Sequence, residues 1–130
     1  MNSALEFHDS TVGSAQVVGD SLRILFSAAY VHRSIGRPGV DSGDGCTQSV
    51  EMSFGEASFT GSIPECVGNL ANGSLVVPGE EMSLVPIPFN SFGPVRAELE
   101  FADGSLLTIE ASSVSCSPIG EPVFVEHFRG

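Results

Sequence analysis

What most limits the fold of this chain is a period-two alternation of apolar and polar residues in short runs, each soon interrupted by glycine, proline, asparagine or aspartate. Val95, Ala97, Leu99 and Phe101 alternate with Arg96, Glu98 and Glu100. A period of two sends successive side chains to opposite faces of a strand, whereas a helix needs apolar residues three and four apart. With 15 Gly and 8 Pro scattered over 130 residues, long helices have no room. The pattern predicts one all-β domain over residues 1–130, an antiparallel barrel or two-sheet sandwich of short strands joined by tight turns. Both architectures produce this alternation. The barrel is preferred because pairing of the first and last strands would leave no sheet edge.

Two hairpins can be read to their register. A two-residue Gly19-Asp20 turn pairs Val17 with Leu22 and Ala15 with Ile24, apolar residues on one face, and glycine in first place suits a type II′ turn. Downstream, a three-residue Ala102-Asp103-Gly104 loop pairs Leu99 with Leu107 and Ala97 with Ile109. It sets Gly104 at a left-handed bulge position. A two-residue turn would set Leu99 against Thr108 and reverse the faces. Further strands are expected at Leu5–His8, Ser49–Phe54, Ala57–Thr60, Leu75–Val77, Met82–Ile87 and Val123–Phe128. Asn72-Gly73 reads as a tight turn and Pro64–Gly68 as one helical turn. Pro86 and Pro88 mark a strand end or edge, because proline donates no ladder hydrogen bond. Ser34–Gly45 reads as a loop.

Charge narrows the partners. Sixteen Asp+Glu against five arginines give a formal charge of -11. No cluster of cations could neutralise a run of phosphates or an anionic lipid surface, so neither nucleic acid nor a membrane is expected. Cys46, Cys66 and Cys116 are odd in number, widely spaced and without a CxxC, which suggests reduced thiols in a cytoplasmic protein. Glu6, His8 and Asp9 stand where a signal peptide would need apolar residues.

Three short motifs have bland explanations. Gly19-Asp20-Ser21-Leu22 spells the signature of the GDSL esterases, but no Asp-x-x-His follows and the turn register already explains it. Asp41-Ser42-Gly43-Asp44-Gly45 resembles the start of a calcium loop, yet Gly43 replaces a ligand and no closing Glu stands at the right offset. Asn72-Gly73-Ser74 matches a glycosylation acceptor, which in a cytoplasmic chain signifies only a turn.

The candidate site residues are dispersed: His8, Asp9, Tyr30, His32, Glu126 and His127. If the strand Leu22–His32 has no bulge, Leu22, Ile24, Phe26, Ala28, Tyr30 and His32 share the core face, and His32 points inward. The last strand carries Glu126 on one face and His127 on the other, so whichever face is inward holds a polar group. If the first and last strands pair, His8 and His127 become neighbours. A cluster of imidazoles and carboxylates at a barrel mouth could bind a divalent metal or supply acid–base chemistry. No HxH or HExxH spacing supports a metal, and no cofactor is expected. Ser10 beside His8 would need an orienting carboxylate to resemble a triad.

Leu5–Ser10, Ala29–Ser34 and Gly120–Glu126 resemble segments of a group of small uncharacterised bacterial all-β proteins. The resemblance spans most of the chain. It implies a compact barrel or sandwich and a bacterial source, and it carries no activity. The leading expectation is a non-catalytic cytoplasmic binding or interaction module, with a basic protein partner or a second copy joined through a sheet edge. The alternative is a small-ligand or divalent-metal site, with hydrolysis as one outcome, built from His8, His32, His127 and nearby carboxylates.

Overall fold

The computed structural model describes residues 1–129. Its strands are β1 (Asn2–Val18), β2 (Ser21–Ser34), β3 (Gly43–Gly55), β4 (Ser58–Thr60), β5 (Gly68–Val77), β6 (Glu80–Met82), β7 (Leu84–Pro86), β8 (Phe89–Phe101), β9 (Leu106–Pro118) and β10 (Val123–Phe128). Antiparallel pairing runs β3-β2-β1-β5-β8-β9, and β9 returns to β3 from Val50↔Pro118 to Gly55↔Ser113. Six strands therefore close a barrel. The remaining strands lie outside it: β4 on β9, β6 on β5, β7 on β1 and β10 on β3. The sandwich alternative is removed. A single turn of 3-10 helix, Ile63–Glu65, is the only helical element among the described residues.

The alternation fills the barrel as expected. Leu22, Ile24 and Phe26 of β2 meet Val50, Met52 and Phe54 of β3, Ala97, Leu99 and Phe101 of β8, and Leu107 and Ile109 of β9, all fully buried. Each large side chain of this kind contributes roughly 1.5–3 kcal/mol by leaving water. Outside, Arg96 donates to Glu98 and Glu110, 2.9 Å each.

Both hairpins adopt the expected registers. Val17 pairs with Leu22 and Ala15 with Ile24 across Gly19-Asp20, with Gly19 at φ 63° and Asp20 outside the left-handed region, as a type II′ turn requires. Val17 is nevertheless exposed, although its partner Leu22 is buried. Leu99 pairs with Leu107 and Ala97 with Ile109, and Gly104 sits at φ 92°.

Several expectations are corrected. The main strands are long and bulged rather than short, because residues that read as interruptions are absorbed within ladders. Asn72-Gly73 makes no turn: it lies inside β5 with Gly73 opposite Leu99. The ring of Phe7 rests on Gly73, where a Cβ would collide with it. Ser34–Gly45 is not all loop, since β2 runs to Ser34 and β3 starts at Gly43. A turn spans the gap, with Asp41 accepting the Arg37 backbone N–H at 2.7 Å. The terminal strands do not pair: β1 lies between β2 and β5, and β10 lies on β3. Finally, β2 does carry a bulge, between Phe26 and Ala29, so Ala29 and Val31 take over the buried face and Tyr30 and His32 turn to the outside of the wall.

Past the bulges, five strand segments form a sheet that extends one end of the barrel, in the order β7, β1, β2, β3, β10. Leu5 pairs with Val85 and Val31, and Val31 with Cys46. The outer face of this extension carries the candidate site.

Candidate functional site

Cross-strand partners share a face. Glu6 lies opposite Tyr30, and Ala4, His32, Gly45 and Glu126 form the next row across the outer face. Gly45 is needed here because Tyr30 lies diagonally over it. A Cβ at Gly45 would overlap the Tyr30 hydroxyl, and that hydroxyl donates to the Glu126 carboxylate. Burial first, then the hydrogen bond and charge of Glu126 and the charges of Glu6 and Asp9, push the Tyr30 pKa above its ordinary value.

His32 is 7% exposed although it stands outside the barrel. Its ring meets the Tyr30 ring at 5.1 Å and the Phe128 ring at 5.3 Å between centroids, both edge-on. Gly39 in the β2–β3 turn approaches its Cγ and Cδ2 side. Nε2 is 3.5 Å from Glu6 Oε2, while the buried Nδ1 has no hydrogen-bond partner. Leaving such an atom bare costs about 1–3 kcal/mol. A pocket of about 250 Å³ opens beside it, lined by Glu6, His8, His32, Gly39, Leu84 and Phe128 among others.

His8 and Asp9 sit on the bulge that interrupts the β1–β2 pairing between Glu6 and Thr11. Asp9 has φ 70°, a left-handed conformation that aspartate tolerates better than most residues. Ser10 pins this bulge from inside: fully buried, its Oγ donates to the Glu6 carbonyl and accepts the Tyr30 N–H at 2.9 Å. Ser10 is thus a brace and not a triad serine. His8 Nδ1 lies 3.3 Å from Asp9 Oδ2, and ligand atoms of Glu6, His8 and Asp9 all lie within 4.8 Å of one another.

The structure therefore brings Tyr30, His32 and Glu126 into one chain of contacts and places His8 and Asp9 on its margin. His127 is separate, because it follows Glu126 by one residue and so faces the other side of β10. It pairs with Asp44 at 3.0 Å and lines a wider, open concavity with Ser42, Gly43, Asp44, Phe128 and Arg129. The expected neighbourhood of His8 and His127 fails with the pairing of the terminal strands. Glu6 and Phe128 were not among the candidates. Alternation in Leu5-Glu6-Phe7 does put Glu6 opposite two buried residues, but only the strand register shows that it meets Tyr30 and His32.

Among the described residues, Cys46, Cys66 and Cys116 are buried free thiols; burial pushes Cys116 up to about 12, and burial together with Glu65 and Asp103 raises Cys66. A thiol held protonated is unreactive. Ser21 opens β2 opposite Val18, and the three histidines pair with Asp9, Glu6 and Asp44 instead. Asp44 of the calcium-like segment is likewise committed to His127. No helix among the described residues is long and apolar enough to cross a membrane. No protein-family model, curated protein or solved structure matches the chain.

Proposed function

We propose that the protein is a non-catalytic binding module that takes an extended, basic segment of another protein along β10. One observation carries this reading. β10 is an edge strand with β3 on one side and no strand on the other among the described residues, and Val123, Phe124 and Val125 are 62%, 56% and 49% exposed. An unpaired strand edge is a template for strand addition, in which main-chain hydrogen bonds give affinity and alternate side chains give selectivity. Side chains as well as the β3 ladder attach β10 to the rest of the fold. Glu126 is tied to Tyr30, His127 to Asp44, and Phe128 packs on His32. The bulge at Val125 restricts a partner strand to a short pairing.

The net charge of -11 selects the partner's chemistry. A basic segment is drawn to this surface, and a second acidic copy is repelled. Three buried free thiols support a reducing compartment, the cytoplasm. The test is an NMR titration with two short peptides, one alternating Val and Lys and one alternating Val and Glu. The expected result is that β10 amides shift with the lysine peptide alone and that binding weakens as salt rises. β10 amides unmoved by either peptide, or light scattering that finds a dimer joined through this edge, would overturn the reading.

A further inference from the structure

We infer that Glu6, His8 and Asp9 form a site for one divalent first-row transition-metal cation, with His32 as the positioning residue behind Glu6. Glu6 and His8 are two apart on β1 and project to the same side, and the bulge turns Asp9 back so that its carboxylate meets the His8 ring. Metal–ligand distances of roughly 2.0–2.2 Å let ligand atoms lie at most about 4.4 Å apart across an ion. The three present ligand atoms lie within 4.8 Å of one another, and the His8 and Asp9 side chains, each 62% exposed, are free to close the difference by small rotations. Two carboxylates balance a divalent charge, and among the described residues no arginine pairs with either.

A second observation points the same way. His32 lines the pocket with Glu6 and His8, is nine-tenths buried, and sets its Nε2 3.5 Å from Glu6 Oε2. The edges of Tyr30 and Phe128 fix its ring with Nε2 toward one oxygen of Glu6, which leaves the other oxygen for a ligand. That is the role of a residue that orients a ligating carboxylate from behind. One imidazole nitrogen with two carboxylate oxygens is a borderline donor set, suited to zinc and its neighbours more than to magnesium or calcium, and three protein ligands leave positions for water. This site does not depend on the free edge of β10.

The test is calorimetry of the full chain with zinc chloride, paired with the visible absorption of the cobalt-loaded protein and the ring-nitrogen NMR shifts of its histidines. One equivalent should bind, with the His8 ring nitrogen shifting and that of His127 unmoved. Glu6→Gln, His8→Ala and Asp9→Asn should each weaken binding roughly tenfold or more. His127→Ala should leave it unchanged. His32→Phe should weaken binding and alter the cobalt spectrum with all three ligands present. His32→Gln, which can still donate to Glu6, should restore part of both. His8 is exposed, so its variant serves if Glu6→Gln fails to fold. No saturable binding up to about 1 mM, binding unaffected in both His8→Ala and Glu6→Gln, or binding lost in His127→Ala would each overturn the site.

Discussion

At the scale of single residues, Tyr30 is the most informative. It is the only tyrosine, and the chain has no tryptophan, so tyrosine absorption and tyrosine fluorescence report on this site alone. Its folded pKa is raised above the ordinary value near 10. Stability from this shift is therefore fully present below about pH 10 and is lost as pH rises through the folded pKa. The expected outcome is that phenolate absorption stays absent past about pH 10 in the folded protein and appears there on unfolding. Gly45→Ala should push the tyrosine off Glu126, bring its titration back toward about 10 and cost about 1–3 kcal/mol by overpacking, read in the same titration and in thermal melts. Alternation singles out His32 and Glu126 as polar groups among apolar residues, with Tyr30 beside His32, but it assigns both rings to the core face and the bulge turns them outward. It did not find Glu6, their partner, because a carboxylate on the polar side of a strand looks like any solvated acid until the neighbouring strand is in register.

At the scale of elements, what decided legibility was whether a turn left one register open. The three-residue loop after Phe101 did: only that length keeps Leu99, Leu107, Ala97 and Ile109 on one face, and the structure pairs them so. Gly104 there has φ 92°, where a side chain is strained, so Gly104→Ala should cost about 1 kcal/mol or more, measured by chemical denaturation. Asp103 in the same loop accepts the Ser105 N–H at 2.9 Å, which holds its carboxyl below the usual range. Its support is thus present above the ordinary carboxylate pKa and is lost as pH falls through the lowered one. The β2 bulge was not legible. Ala28 and Ala29 are both small and apolar, so the run from Phe26 fits the core with or without an extra residue, and the wrong choice reverses Tyr30 and His32. Asn72-Gly73 misled for a related reason: glycine serves close packing as well as turns, and the Phe7 ring that demands it comes from a distant strand.

At the scale of the whole molecule, the barrel itself was legible but its seam was not. Closure was expected between the chain ends, and it occurs between β3 and β9. The chain leaves the barrel wall after Pro118, where the Ile119 and Gly120 N–H groups both reach the Ser49 carbonyl, and then rejoins β3 as β10. No local signal marks that step. The seam joins Val50 to Pro118, so the loop-closure entropy of the whole interval is met before the barrel interior is sealed. Refolding in the millisecond-to-second range, rather than microseconds, is expected for such distant pairing, followed by stopped-flow tyrosine fluorescence. The shared strand β3 also sets how the protein would bear load. A pull on the carboxyl end meets β10 first and can peel it from β3 one rung at a time, taking Phe128 off His32 before anything else gives way. The same pull then reaches β9, which is laced to a neighbour on each side and can yield only by many rungs breaking together. The site would be dismantled by a weak tug while the barrel stood intact.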